Sequence, residues 1–146
     1  CRGGRSWSLA ERCRDWQYWH YLSSYFPVSL VKTADLDPTT NHIFCVHPHG
    51  LLCFGAITSF GSEAAGFSSL FPGIRPRLTT LEGTLLLPGF REFVMSVGTI
   101  SSSRSSLDTV LGSKQGGEAP VVMVGGVPEM SNPDSDSVTL YLRNRY

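Results

Sequence analysis

The feature that most constrains this chain is the motif His47-Pro48-His49-Gly50, which directly follows the apolar run 43–46. Proline disfavours helical geometry at the residue before it and fixes its own φ, so the motif does not lie inside a regular helix. In extended backbone, side chains two positions apart point to the same side. The pattern predicts a buried strand that ends with both imidazoles facing one way, beside a glycine that permits a sharp turn or a close ligand.

The residues alone leave three interpretations of this histidine pair open. Histidine moves protons readily near neutral pH, so the pair is a candidate catalytic site. A strand-end histidine can equally be a structural residue that is hydrogen-bonded to the backbone. A metal site needs further ligands. Because His20 and His42 are distant along the chain and no Cys-x-x-Cys spacing occurs, we expect no metal.

A second candidate segment, Gly125-Gly126-Val127-Pro128-Glu129, follows the apolar run 119–124. A strand that ends in two glycines presents bare N–H groups at the carboxyl edge of a sheet, where α/β proteins tend to bind ligands. Glu129 could orient an imidazole or accept a hydrogen bond from a substrate hydroxyl. Taken by itself, the segment favours a plain glycine turn with a solvated glutamate.

Composition limits the class of protein. The 146 residues fit one domain, and 12 Lys+Arg balance 12 Asp+Glu, which gives no electrostatic case for nucleic acid. The cysteines, Cys1, Cys13, Cys45 and Cys53, have no framework spacing, so we expect free thiols. No run approaches the roughly 18 apolar residues that span a membrane, and no secretory signal is present.

The remaining pattern predicts strands that alternate with helices. The segment Leu9–Tyr25 reads as an aromatic-rich helix ended by Pro27, with Leu9, Cys13, Trp16 and His20 on one face. Its aromatic residues suit either a membrane interface or docking onto the core. Further predictions are a strand at Val28–Thr33, a turn at 35–41, a helix at Gly50–Phe60, a loop at Gly61–Gly73, an ambiguous element at Arg77–Leu87, a helix at Phe90–Val97, a helix capped by Ser105 and ending at Leu111, and a strand at Ala119–Val124. This order predicts an α/β sandwich with a partly parallel sheet flanked by helices.

The order of the motifs resembles the diacylglycerol acyltransferase 2 family, which includes monoacylglycerol and acyl-CoA wax alcohol acyltransferases. The segments that carry the resemblance are Tyr25-Phe26-Pro27, Leu30–Thr33, His47-Pro48-His49-Gly50, Glu63–Ser68, Phe71–Pro76, Arg91–Ser96, Gly125-Gly126 with Glu129, and Leu142–Arg145. The chain departs from the family pattern at Val127-Pro128, at Met130 and at Pro133-Asp134.

The resemblance implies a glycerolipid-acyltransferase-like sandwich that transfers an acyl group from acyl-CoA to mono- or diacylglycerol, or to a fatty alcohol. It implies His49 as the base, with His47 either orienting it or binding the acyl carbonyl and Glu129 holding the imidazole tautomer. Backbone N–H groups around Gly50 or Gly125-Gly126 would be the oxyanion donors. Tyr25, Phe26 and Pro27 would bind substrate, and Arg75, Arg77 and Arg104 are candidates for the CoA phosphates. No cofactor is expected beyond acyl-CoA as co-substrate.

The resemblance also implies a location at the cytosolic face of the endoplasmic reticulum membrane or on lipid droplets, with membrane lipid and family members as partners. We interpret residues 1–24 as a lead helix and residues 25–146 as the N-terminal part of one acyltransferase domain. A family member usually continues past the Arg-Asn-Arg segment and carries an upstream hydrophobic hairpin, so we expect a fragment with exposed apolar surface. The alternative is a truncated, inactive member that only associates with membranes.

Overall fold

The computed structural model describes residues 11–49, 52–126 and 129. Residues 11–14 are helical, and they precede helices α1 (Gln17–Tyr25), α2 (Phe54–Ala56), α3 (Phe67–Leu70), α4 (Phe90–Ser96) and α5 (Arg104–Leu111). Helix α2 continues into a π-helical turn, Ile57–Gly61, and a 3-10 helix spans Glu82–Leu86. The strands are β1 (Phe44–Val46), β2 (Arg75–Thr80), β3 (Ile100–Ser101) and β4 (Glu118–Met123).

The four strands form one sheet in the order β1-β4-β2-β3, and every described pair is parallel. Phe44 lies opposite Val121, and Arg75 lies opposite Glu118. Helical segments connect the strands, as parallel pairing requires. The predicted α/β architecture with a parallel sheet is therefore confirmed. Because β1 and β4 run in the same direction, the segments that follow them meet at one edge of the sheet.

The apolar core lies on one face of this sheet. Ala119 and Val121 of β4 are fully buried there, together with Leu78 of β2. They pack against α2, the π-helical turn and α3, whose Phe67 is also fully buried. The alternation of side chains along each strand directs these residues to the same face.

A buried arginine joins the first helical residues to this core. Arg14 is only 1% exposed. Its Nε and Nη2 donate to Glu63 Oε1 at 3.1 and 2.8 Å, and its Nη1 donates to the Phe60 carbonyl at 2.7 Å. The Glu63 N–H donates back to the Arg14 carbonyl at 2.9 Å. The sequence did not predict this buried ion pair, which we call the Arg14–Glu63 clamp. No local feature distinguishes Arg14 from the other nine arginines of the chain.

The predicted continuous helix at Leu9–Tyr25 is wrong, since it breaks at Asp15 and Trp16. In an unbroken helix the Cys13 carbonyl would accept from residue 17; it accepts instead from the Trp19 indole N–H at 2.8 Å. Trp16 has extended backbone and is 60% exposed, whereas Trp19 is buried. Trp16 therefore does not belong to a buried face, and Leu9 lies outside the described residues.

Other element boundaries also needed correction. Val28–Thr33 is a loop and not a strand. Lys32 Nζ fixes this loop by donating to the Leu70 carbonyl at 2.9 Å and by pairing with Asp35 Oδ1 at 2.5 Å. The predicted loop at Gly61–Gly73 contains α3, and Arg77–Leu87 divides between β2 and the 3-10 helix. The N-cap of α5 is Ser103 rather than Ser105.

The remaining predicted elements are confirmed in kind. The helix predicted at Gly50–Phe60 begins at Phe54 among the described residues, and the predicted strands near 44–46 and 118–123 and the predicted helix near 90–96 are present. The strand at 44–46 is half-buried with Cys45 exposed, so its predicted burial is wrong. Cys13, Cys45 and Cys53 are unpaired, as predicted. In the described ranges, no helix has the length and hydropathy needed to cross a bilayer.

We expect Arg14→Ala to destabilise the fold by about 3–5 kcal/mol, because it leaves the Glu63 carboxylate and the Phe60 carbonyl without the guanidinium that donates to them. Arg12→Ala, in the same helical segment but exposed, should change stability by no more than about 0.5 kcal/mol. Urea unfolding of both variants measures the difference, and equal midpoints would contradict the clamp.

Candidate active site

The two motifs singled out in the sequence meet at the carboxyl edge of the sheet. β1 ends at Val46 and leads into His47, while β4 ends at Met123 and leads into Gly125. β1 and β4 are hydrogen-bonded neighbours with Val46 opposite Met123. Parallel pairing therefore brings residues about 80 positions apart into one site.

The Glu129 carboxylate joins these motifs. Its Oε1 lies 3.2 Å from His47 Nδ1, and its Oε2 accepts from the His49 backbone N–H at 2.9 Å. Its own backbone N–H donates to the Gly126 carbonyl at 3.1 Å. The residue is only 7% exposed, so Glu129 is not the solvated glutamate of the simpler interpretation.

Steric constraints favour glycine at both position 125 and position 126. A Cβ built on Gly125 would overlap the Glu129 carboxyl group, so a side chain at position 125 would displace that carboxylate. Gly126 has a φ of 57°, in the left-handed region that favours glycine. Gly50, Val127 and Pro128 lie outside the described residues.

The His49 ring has a different partner from the His47 ring. Its Nδ1 and Nε2 lie 3.1 and 3.4 Å from Cys53 Sγ, whereas the His47 ring contacts Glu129. The sequence predicted both rings on one side; in the structure each is directed to its own neighbour, and the His47–Pro48 peptide bond is cis.

Cys53 is a site residue that sequence reasoning missed. The signal in the sequence that could have identified it is its position four residues after His49. It caps α2 in a left-handed conformation with φ of 49°, which places the thiol against the imidazole. Burial raises the pKa of the Cys53 thiol. At neutral pH it is therefore a protonated S–H group.

An open pocket of about 370 Å³ lies in front of His49 and Cys53. Pro48, Leu52, Phe54, Gly55 and Phe26 complete its lining. Phe26 stacks on Phe54 with ring centroids 5.1 Å apart, and this contact brings the Tyr25-Phe26-Pro27 motif to the site. Tyr25 meets Phe26 edge-on but is 79% exposed, and Pro27 is exposed.

The three arginines considered for the CoA phosphates are not brought to this pocket. Arg75 and Arg77 both donate to the buried Glu118 carboxylate. They lie at the amino end of β2, which is roughly 10–16 Å from its carboxyl end at about 3.3 Å per residue. Arg104 is exposed at the start of α5, with its Nε 3.8 Å from Asp108 Oδ2, and it is not among the residues that line the pocket.

No group of three His, Cys, Asp or Glu side chains among the described residues is arranged to hold a metal ion. His42 is bound locally, with its Nε2 2.9 Å from the Asp37 carbonyl oxygen and 3.1 Å from Thr40 Oγ1. The site therefore consists of His47, His49, Cys53 and Glu129 beside an apolar pocket.

Comparison with known proteins agrees with this arrangement. The family model described as "Diacylglycerol acyltransferase" matches residues 1–146. The chain is 47% identical to diacylglycerol O-acyltransferase 2 of Danio rerio over 91% of its own length and 37% of that protein. It is 44% identical to human 2-acylglycerol O-acyltransferase 3 and to human acyl-CoA wax alcohol acyltransferase 2, each over 99% of the chain and 42% of the relative.

The chain thus spans about two fifths of the length of these relatives. No solved structure matches it. Since the family model covers the whole chain and includes both motifs that meet at the sheet edge, the chain belongs to the diacylglycerol acyltransferase family.

Proposed function

We propose that this chain carries the histidine site of an acyl-CoA-dependent O-acyltransferase that esterifies mono- or diacylglycerol. The observation that carries the proposal is the buried Glu129 carboxylate, which contacts the His47 ring and the His49 backbone and so fixes His49 where it lines an apolar pocket. Relatives that match nearly the whole chain are named as acyltransferases for acylglycerols. Their names support the reaction class, and the geometry supports the roles proposed below for the residues.

His49 is the proposed general base. An alcohol attacks a thioester slowly unless a base takes its proton in the same step, which typically contributes about 10²–10⁴ in rate. The His49 ring lines the pocket, where an acceptor hydroxyl would approach it. His47 does not line the pocket; it fixes Glu129 through Nδ1, and Glu129 in turn fixes the His49 backbone. His47 and Glu129 are therefore positioning residues in this proposal.

The backbone N–H groups of Gly125 and Gly126 are the proposed oxyanion donors, together with that of Gly50. Attack on the thioester carbonyl places negative charge on its oxygen, and each donor aimed at that charge is worth about 10²–10³ in rate. Gly125 and Gly126 directly follow β4 at the edge where His47 follows β1.

The apolar lining of the pocket favours a hydrocarbon substrate. Phe26, Leu52 and Phe54 surround the opening, and we assign to them the acyl chain or the lipid acceptor. The 44% identity to a wax alcohol acyltransferase makes a fatty alcohol the second candidate acceptor. For the CoA phosphates we retain Arg104, because Arg75 and Arg77 are held by Glu118.

We place this activity at a membrane surface, at the cytosolic face of the endoplasmic reticulum or on lipid droplets. Both the lipid acceptor and its ester reside in such a phase. Helix α1 supports the proposal, because Tyr18, Tyr21 and Tyr25 are at least half exposed along it. Tyrosine and tryptophan suit an interface, where one end of the ring is apolar and the other is hydrated.

The first test substitutes the proposed base. We expect His49→Ala to lower ester formation by about 10²–10⁴, the contribution of a general base. The measurement is label transfer from oleoyl-CoA to monoacylglycerol, diacylglycerol and fatty alcohol by the chain in membranes. His42→Ala is the matched control, since His42 is bound in a surface turn. Equal losses in both variants would contradict the assignment, and no product from the wild-type chain beside an active relative would favour the inactive alternative.

The second test concerns the carboxylate. Glu129→Gln keeps the shape of the side chain but removes its charge, so one of the two hydrogen-bonded groups loses an acceptor. Because hydrogen bonds to charged groups are worth about 1.5–3 kcal/mol, we expect kcat to fall by about 10- to 100-fold with KM little changed. Glu11→Gln, on an exposed side chain, should have no effect. A change confined to KM would rule out the positioning role.

The third test addresses the pocket wall. Phe26→Ala removes the stacked pair with Phe54, which is worth about 0.5–1.5 kcal/mol. We expect KM for the lipid substrate to rise by about two- to tenfold. Val31→Ala is the control, since Val31 lies in the loop that follows and is 76% exposed. An unchanged KM in the Phe26 variant would separate the Tyr-Phe-Pro motif from substrate binding.

A further inference from the structure

Cys53 and His49 form a nucleophile–base pair inside the pocket. The sulfur lies 3.1 Å from Nδ1 and 3.4 Å from Nε2 of the imidazole. A neutral imidazole has one unprotonated nitrogen, and either tautomer places it within 3.4 Å of this thiol. A thiol close to an imidazole inside a substrate pocket is the starting arrangement for covalent catalysis by cysteine.

Glu129 Oε2 accepts the His49 backbone N–H at 2.9 Å, which fixes the main chain that carries the imidazole. Cys53 and His49 both line the pocket that we assign to the substrates. Cys45, an exposed thiol in β1, is the natural comparison, because it does not line the pocket.

We propose that Cys53 accepts the acyl group from acyl-CoA before the lipid acceptor receives it. This inference rests on the proposed function and adds a covalent intermediate to it. A thiol is intrinsically a better nucleophile than an alcohol, and exchange between two thioesters forms a bond of the same kind as the one it breaks. The pocket therefore contains a group chemically matched to the donor.

The two steps balance without a further reactant. In the first, His49 takes the Cys53 proton as sulfur attacks the thioester carbonyl; the C–S bond to CoA breaks, and the CoA thiolate receives the proton from His49. In the second, His49 takes the proton of the acceptor hydroxyl as oxygen attacks the acyl-Cys53 carbonyl. The C–S bond to Cys53 breaks, and its thiolate receives that proton. The net reaction is ester and free CoA from acyl-CoA and alcohol.

The variant that tests this step is Cys53→Gly. It removes the thiol, and glycine tolerates the left-handed backbone with φ of 49°, so the start of α2 should be preserved. Cys53→Ala removes the thiol and keeps the Cβ that cysteine already places on this backbone, so it is the second variant. Cys45→Ser removes the contrasting thiol and should leave the chemistry unchanged.

The experiment incubates the full chain in detergent micelles with oleoyl-CoA and no acceptor. Intact mass and peptide mapping then locate any acyl adduct, and exchange of labelled free CoA into oleoyl-CoA reports reversal of the first step. We expect one oleoyl group on Cys53 and measurable exchange. Both should vanish in Cys53→Gly, should be about 100-fold slower in His49→Ala, and should persist in Cys45→Ser.

Parallel ester assays separate this inference from the proposed function. Ester formation at the wild-type rate by Cys53→Gly, with no adduct in the wild type, would overturn the intermediate and leave direct transfer intact. An adduct on Cys45 as large as that on Cys53 would also overturn it. An adduct confined to Cys53 without ester from any acceptor would support the thiol step and contradict the proposed acceptor. Absence of both adduct and ester would contradict both proposals.

Discussion

The arrangement of the candidate site depends on one buried carboxylate. Glu129 reaches across from the end of β4 to bind the His47 ring and the His49 backbone, and so joins two loops that belong to different strands. The contact requires that position 125 carry no side chain, since any Cβ there would occupy the space of the carboxylate. It also requires that β1 and β4 be parallel neighbours, because only then do their carboxyl ends meet. A local glycine turn and a pair of histidines thereby become one constellation.

Buried carboxylates also organise the rest of the sheet. Glu118 at the start of β4 binds Arg75 and Arg77 of β2, and Glu63 binds Arg14. Each buried charge is thus paired, as burial in a protein interior demands. Removing one partner leaves the other uncompensated, which is far costlier than losing a surface ion pair. The charges that a phosphate-binding role would need at Arg75 and Arg77 are consequently committed to the fold.

Unlike these paired charges, many large apolar side chains of the described residues are exposed to solvent. Large hydrophobic side chains of α1, the 3-10 helix and α4 are half exposed or more, among them Tyr21, Leu86 and Met95. Trp19 links α1 to α4 by stacking on Phe93, with ring centroids 6.4 Å apart. Exposed apolar side chains in such number are typical of a surface that binds a partner or a membrane. It matches the prediction of exposed apolar surface and the proposed lipid interface.

Local pattern alone determined the strand before His47, the glycine-terminated strand near 118–123, the α4 and α5 helices and the α/β class, because periodicity and turn residues are local properties. The motifs also identified the histidines, the glycines and Glu129 as candidates. Tertiary structure decided which side chains meet. It placed Glu129 on the histidines, Arg75 and Arg77 on Glu118, and Cys53 on His49. Such contacts follow from strand order and register, which join residues far apart along the chain and leave no signature in either segment by itself.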